Sequence, residues 1–150
     1  MKLIITFLLS CFVLNSNSQI ITTFAGTGSV GYSGNGGPAT SALLSNPQAI
    51  CTDNAGNLYV GYSNSNLNIA KIKKYSSTGA WLMDIGGGYG DNELDGTGAQ
   101  IYDYYENYAS FKEIKIDNEG NIYAHTDRIK KYSSTGAWLM TLGDGVDNAG

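Results

Sequence analysis

Apolar and polar residues alternate along several short stretches of this 150-residue chain, and turn-forming residues separate those stretches. Alternation with a period of two is typical of a β-strand that buries one face. No long stretch shows the spacing of an amphipathic helix, so the pattern predicts an all-β chain. The predicted strands are the eight ranges 48–53, 57–62, 70–76, 80–85, 112–117, 121–125, 128–133 and 137–142.

The clearest repeat is the twelve-residue sequence IKKYSSTGAWLM, which begins at Ile72 and again at Ile129. Each copy contains a loosely alternating run, a Ser-Ser-Thr-Gly turn and a second apolar run. This order is typical of a β-hairpin. Trp81 and Trp138 occupy the same position in the two copies, and we expect both to be packing residues.

A second repeated block precedes each hairpin. Residues 50–60 match residues 114–124, and each copy contains an Asp-Asn-x-Gly turn. Asp53 and Asp117 begin these turns, so we interpret them as turn formers rather than as catalytic acids. Each unit therefore predicts four sequential antiparallel strands.

Two such units with glycine-rich connectors favour a partial β-propeller with four-stranded antiparallel blades at about 44–88 and 108–145. Residues 20–24 predict the outer strand of another blade. A β-solenoid is the competing repeat architecture, but it usually has shorter coils and fewer hairpin turns. Because propellers close with about four to eight blades, we expect a fragment of a longer propeller, or short chains that share one ring.

The first 18 residues predict a secretory signal peptide, with a basic start, an apolar stretch and small residues before Gln19. That stretch is too short to favour a transmembrane anchor. Cys11 follows Leu-Leu-Ser, which resembles a lipoprotein cleavage site, but the apolar run continues beyond it and favours an ordinary cysteine. We therefore expect residues 19–150 to be secreted, periplasmic or at the cell surface.

The net charge of the chain and its cysteine content argue against several classes of function. The formal net charge is −4 at pH 7, and no basic patch like that of a nucleic-acid-binding protein occurs. After removal of the signal peptide, Cys51 would be the one cysteine, which excludes an intramolecular disulfide and predicts a small buried side chain. His125 is the one histidine, so a histidine-based zinc site is not predicted.

One stretch carries a family resemblance. The sequence TTFAGTGSVGYSGNGGPATSALLSNPQAI, followed by DNAGNLYV, resembles the NHL repeat, a β-propeller blade family common in secreted bacterial proteins. The similarity covers nearly all of residues 20–145, although the second unit has Phe111 where the first has Pro47. The resemblance implies a binding or scaffold module for protein or glycan partners. The alternative that it implies is a lyase or lactonase, whose metal, such as calcium or zinc, would be held partly by blades outside this chain.

Two glycine-rich stretches partly match ligand-binding motifs. Gly26, Gly28 and Gly31 satisfy a dinucleotide-binding pattern, but glycines and a proline follow where that motif needs a helix, so we predict a tight loop. Residues 91–96 resemble the start of a calcium loop, but the twelfth position is Tyr102, where a glutamate would be required. We expect the acids of this loop to be solvated.

An aromatic cluster precedes the second unit and ends at Phe111. Exposed aromatic side chains stack on sugars or anchor interfaces, whereas buried ones pack between blades, which average burial favours. No catalytic, cofactor or metal residue is predicted. The possible ligand or partner contacts are Tyr102, Tyr104, Tyr105 and Tyr108.

Overall fold

The computed structural model describes residues 21–64, 69–86, 110–126 and 128–142. Within these ranges the chain is all-β, with two four-stranded antiparallel sheets and one 3-10 turn at Ala39–Ser41. Each of the eight strands predicted for the two units is confirmed to within two residues at either end. The first sheet contains β1 (Pro47–Thr52), β2 (Leu58–Asn64), β3 (Ile69–Tyr75) and β4 (Trp81–Ile85). The second contains β5 (Glu113–Ile116), β6 (Ile122–His125), β7 (Ile129–Tyr132) and β8 (Trp138–Leu142).

The strand predicted at 20–24 is wrong for the residues that the structure describes. Residues 21–24 lie in no strand, and the Ile21 side chain is 96% exposed. A strand persists where a neighbour satisfies its backbone hydrogen bonds. Among the described strands, none pairs with this stretch, so its β-branched composition alone does not make it a strand.

An aspartate holds together each turn between the first two strands of a unit. Asp53 Oδ1 accepts the backbone N–H groups of Ala55 and Asn57 at 3.0 and 2.9 Å. Its Oδ2 accepts the Asn57 side-chain amide at 2.9 Å and the Tyr59 hydroxyl at 3.1 Å. Burial alone would raise the pKa of Asp53, but these hydrogen bonds outweigh it and lower that pKa.

The second unit repeats this turn. Asp117 accepts the backbone N–H groups of Glu119 and Asn121 at 3.0 and 2.8 Å. It also accepts the Asn121 amide at 2.9 Å and the Tyr123 hydroxyl at 3.2 Å. The hydrogen bond from the Asn121 side chain is the main cause that lowers the pKa of Asp117. Both aspartates therefore have the turn-forming role that the sequence predicts.

Each sheet has two faces, because cross-strand partners in an antiparallel sheet point to the same side. We call one side the front face and the other the back face. In the first sheet the front face carries Ala49, Gly61, Ile72 and Ile85, and the back face carries Ile50, Val60, Lys73 and Asp84. In the second sheet the front face carries Glu113, His125, Ile129 and Leu142, and the back face carries Ile114, Ala124, Lys130 and Thr141.

The front face of the first sheet packs against the back face of the second. This contact forms the main hydrophobic core, and burying its apolar side chains is the principal stabilising contribution. Strands β1 and β5 adjoin each other in this arrangement. The core residues are Ala49, Tyr59, Ala70, Ile72 and Ile85 from the first unit and Phe111, Ile114, Ile122, Ala124 and Tyr132 from the second.

The glycine-rich segment 31–45 covers part of the back face of the first sheet. Ala39 and Ala42 are buried there against Val60 and Tyr75. The segment is fixed to the turn before β4, since the Ala39 N–H donates to the Gly79 carbonyl at 2.6 Å. Residues 32–38, which follow the dinucleotide-like glycines, form no helix. The tight-loop prediction for this part of the chain is therefore confirmed.

Several predicted features lie outside the described residues. They are the signal peptide at 1–18 with Cys11, the acidic loop 91–96, and Tyr102, Tyr104, Tyr105 and Tyr108. Within the parts of the chain that the structure describes, no helix has the length and apolar character that crossing a membrane requires.

Candidate functional site

The front face of the second sheet is open, whereas the matching face of the first sheet is covered. Ile72 and Ile85 are 0% exposed on the first sheet, but Ile129 and Leu142 at the same positions on the second are 37% and 46% exposed. Residues Ile72 and Ile129 begin identical twelve-residue hairpins. The difference in exposure therefore comes from what packs on each sheet, and not from the local sequence.

A hollow of about 460 Å³ lies on this open face. Apolar and aromatic side chains are mixed there with charged ones, a composition typical of a surface that binds a partner. The Lys115 Nζ lies 3.1 Å from Glu113 Oε1 at the β5 edge of the sheet. The lining residues are Glu113, Lys115, Ile116, Asp117, Tyr123, His125 and Ile129.

Tyr123 is held rigidly in this hollow. Its hydroxyl donates to Asp117 Oδ2, and the Lys131 Nζ lies 5.1 Å from its ring centroid and 3.8 Å from Asp117 Oδ2. The hydrogen bond between Lys131 and Tyr123 is the main cause that raises the pKa of Lys131, so this lysine stays charged at neutral pH. A fixed aromatic ring beside a cation makes a low-entropy anchor for a partner.

The same three residue types occur in the first sheet, where they contribute to the inter-sheet contact. Tyr59 has the position of Tyr123, with Lys74 Nζ at 4.9 Å from its ring centroid and 3.9 Å from Asp53 Oδ2. Tyr59 is buried in the core between the sheets. The first sheet thus uses as an interface the arrangement that the second sheet leaves open.

Cys51 does not have the environment of a nucleophile. Burial, with a smaller contribution from the Asp53 charge, raises the pKa of its thiol from 9.0 to about 11. The thiol is therefore protonated at neutral pH, whereas the thiolate is the reactive form. Cys51 is half-buried and packs against the inter-sheet core, which agrees in part with the small buried side chain that the sequence predicts.

His125 lies in the hollow. Across the described ranges, no group of three or more His, Cys, Asp or Glu side chains is placed to hold a metal ion. The acids that line the hollow are occupied in other ways, since Asp117 holds its turn and Glu113 pairs with Lys115.

A buried ion pair on the back face of the first sheet escapes sequence reasoning. The fully buried Lys73 Nζ lies 3.5 Å from both carboxylate oxygens of Asp84 and donates to Asn35 Oδ1. Asp84 also accepts the Asn35 amide at 3.1 Å and the Trp81 indole N–H at 2.9 Å. Burial lowers the pKa of Lys73, and the nearby Asp84 charge opposes that effect. This network fixes the glycine-rich segment to the sheet.

The two tryptophans have different environments, although both lie on back faces. Trp81 is half-buried and packs against the cluster around Ala39, as predicted. Trp138 is 49% exposed, so the packing prediction is wrong for it. On the first sheet, the glycine-rich segment covers β4, and the Trp81 N–H donates to the Gly37 carbonyl. Among the described residues, no segment covers β8 in this way.

The predicted contact tyrosines lie outside the described residues, but Phe111, which ends that cluster, is 4% exposed and packs between the sheets. Sequence reasoning missed the residues of the open face, Tyr123, His125 and Ile129. The sequence signal that could have identified these residues is their alignment with positions of the first unit that lie at the inter-sheet contact. A scan against models of known protein families found no match, and no curated protein matches this chain.

Proposed function

We propose that this chain is part of a secreted or periplasmic NHL-type β-propeller that serves as a protein-binding or scaffold module. Its binding surface is the open front face of the second sheet. The observation that carries the proposal is that this face exposes Ile129 and Leu142 at the positions of Ile72 and Ile85, which are buried in the inter-sheet contact on the first sheet.

Two sequential four-stranded sheets, stacked face to face with β1 beside β5, support the propeller part of the proposal. Further blades or other chains, packed on this open front face, would complete the ring. The basic and apolar leader at the N-terminus supports export.

The character of the face favours a protein partner over a glycan. Ile129, Met140 and Leu142 add exposed apolar area to the hollow, and the charges of Glu113 and Lys115 lie at its edge. An apolar centre with a polar rim is the usual anatomy of a protein interface. Glycan binding would instead depend on the tyrosines at 102–108.

Site-specific photo-cross-linking tests this function. Ile129 would be replaced by p-benzoylphenylalanine, and the producing cells would be irradiated before adducts are identified by mass spectrometry. Leu82 provides a matched control, because it is 44% exposed and sits at the irregularity of β4, outside the front face. We expect a discrete adduct from position 129 alone. Equal labelling from both positions, or none from 129, would contradict the proposal.

A further inference from the structure

Three reactive side chains meet where the glycine-rich segment crosses the back face of the first sheet. Lys73 Nζ donates to Asn35 Oδ1 and lies 3.5 Å from both carboxylate oxygens of Asp84. Asp84 Oδ2 in turn accepts the Asn35 side-chain amide at 3.1 Å. An amine, a primary amide and a carboxylate thus contact one another pairwise. The cluster therefore contains a nucleophile, an electrophilic carbonyl carbon and a base.

The surroundings of Lys73 favour the neutral amine, which is the nucleophilic form of lysine. Its side chain is 0% exposed, and its Nζ lies 6.0 Å from the Tyr62 ring centroid. Burial lowers the pKa of Lys73, although the nearby Asp84 charge opposes that effect. Desolvation of this kind is one way in which proteins activate a lysine as a nucleophile. The group that the amine would attack is the side-chain carbonyl of Asn35, which Nζ already contacts.

Asp84 is placed to carry protons between the two nitrogen atoms. Its Oδ2 contacts Asn35 Nδ2, and both of its oxygens face Lys73 Nζ. The Trp81 indole N–H donates to Oδ1 at 2.9 Å and so holds the carboxylate in position. A general base must lie within hydrogen-bond reach of the proton that it takes, and such contacts are often long before the reaction begins. The same carboxylate therefore serves both the attacking and the departing nitrogen.

We propose that Lys73 and Asn35 form an intramolecular isopeptide bond in the folded chain, with Asp84 as the proton relay. The Nζ lone pair attacks Asn35 Cγ, the Cγ–Nδ2 bond breaks, and the carbonyl re-forms as part of a secondary amide. The lysine ammonium gives up two protons through Asp84, and the departing nitrogen gains two and leaves as ammonium. Asp84 ends as the carboxylate that it was at the start. The reaction consumes no oxidant, reductant or other co-reactant.

The bond would join two positions 38 residues apart and fix the glycine-rich segment to β3. Asn35 lies at the surface, so the ammonium can leave to solvent. The link would be covalent in a chain for which no intramolecular disulfide is predicted. The ion pair of Lys73 and Asp84 is the reactant, so its contribution to stability applies to the unreacted chain, which intact mass identifies. The site lies away from the open front face, and the inference does not depend on the proposed function.

The second of the two identical hairpins lacks this combination. Lys130 has the position of Lys73, but Thr141 has the position of Asp84. A threonine hydroxyl is not ionised at neutral pH and does not replace a carboxylate as a base. The repeat therefore provides a matched control within the same molecule.

Mass spectrometry of the purified, folded chain tests the inference. We expect the chain to be lighter by one ammonia molecule, either as purified or after incubation at neutral pH. Asn35 precedes Gly36, and this dipeptide can also lose ammonia by closing a succinimide, so a tryptic digest is needed. The isopeptide links the peptide that ends at Lys71 to the tripeptide Ile72–Lys74, because trypsin does not cleave after an acylated lysine. A succinimide leaves these peptides separate.

Single variants assign the three roles. Lys73→Arg removes the nucleophile and Asn35→Ala removes the electrophile at a surface position, so each should abolish the linked peptide. Asp84→Asn should slow its formation by at least about a hundredfold, which is the lower range of general acid–base catalysis. Lys130→Arg is the matched control and should yield the linked peptide as the wild type does. Circular dichroism would show that each variant folds.

The inference would be overturned by a folded wild-type chain that never yields the linked peptide. An equal loss of ammonia from Lys73→Arg would also overturn it, because that result would indicate a succinimide. Formation of the linked peptide by folded Asp84→Asn at the wild-type rate would overturn the relay. The photo-adduct at position 129 reports on the other sheet, so failure of the isopeptide and failure of the proposed function are distinguishable.

Discussion

Lys73 and Asp84 face each other across β3 and β4, with the lysine Nζ 3.5 Å from both carboxylate oxygens and its side chain fully buried. Two charges out of water are tolerated because each has further hydrogen-bond partners, Asn35 on one side and Trp81 on the other. Replacing one member of the pair should therefore destabilise the fold far more than replacing both.

We expect Asp84→Ala to lower the free energy of unfolding by about 3–5 kcal/mol, because it leaves the Lys73 ammonium buried without a carboxylate. Urea-induced unfolding followed by circular dichroism measures this. Thr141→Ala is the control, since Thr141 has the same position in the second sheet, and it should cost less than about 1 kcal/mol. The double variant Lys73→Met with Asp84→Leu should recover most of the loss. Equal effects of Asp84→Ala and Thr141→Ala would refute this account.

Gly61→Ala should also destabilise the chain, because the new methyl group would overlap Ile114 and Phe111 in the inter-sheet core. Overpacking of this kind costs about 1–3 kcal/mol, which urea unfolding would report. Gly37→Ala is a suitable comparison, since its Cβ would meet the Gly34 carbonyl oxygen at an ordinary 3.7 Å. A Gly61→Ala chain as stable as the Gly37→Ala chain would contradict the tight contact at Gly61.

Acid should weaken the fold through the two turn aspartates. Hydrogen bonds lower the pKa of Asp53 and Asp117 in the folded chain, while an unfolded aspartate titrates at about 3.9. A depressed folded pKa contributes stability above the unfolded value, and that contribution is lost as pH falls through the folded value. The urea concentration at the unfolding midpoint should therefore decrease as the pH is lowered below about 4.

The double variant Asp53→Asn with Asp117→Asn should flatten that acid dependence. Glu113→Gln serves as its control, because the Glu113 side chain is 51% exposed and its lysine partner is more exposed still. Exposed ion pairs contribute little to stability. An unchanged acid slope in the double variant would show that other carboxylates dominate.

Cys51 should resist alkylation in the folded chain. With its pKa raised from 9.0 to about 11, the thiolate fraction at pH 8 is about a hundredfold below that of an ordinary cysteine. Iodoacetamide labelling of a Cys11→Ser chain, followed by mass spectrometry, measures the rate for this thiol alone. The same chain in urea should react at least tenfold faster. Similar rates in both conditions would contradict the conclusion that burial and the Asp53 charge raise the pKa of this thiol.

The strands and turns were predictable because their causes are local. Alternating residues mark each strand, and the Asp-Asn-x-Gly sequence marks a turn whose aspartate bonds to groups no more than six residues away. The antiparallel order within each sheet then follows from sequential hairpins. The prediction of a strand at 20–24 was wrong because a strand also needs a neighbouring strand, which local sequence does not reveal.

The candidate site was not predictable, because its exposure depends on distant contacts. Ile72 and Ile129 lie in identical sequence and differ in burial only through what packs on their sheets. Lys73 resembles a solvent-facing strand lysine until Asn35, 38 residues earlier, is placed beside it. No local pattern distinguishes these cases.

The identical hairpins have a consequence for how the chain reaches this structure. During folding, β7–β8 can form the same hydrogen bonds and offer the same twelve side chains as β3–β4. The two hairpins can therefore compete for the same position in the fold. An exchange between them would be a kinetic trap of the kind that repeat proteins encounter. The first residue after the identical stretch is Asp84 in one hairpin and Thr141 in the other. Only the hairpin that contains Asp84 supplies a carboxylate to Asn35 of the glycine-rich segment, so this residue distinguishes the correct assembly from the swapped one.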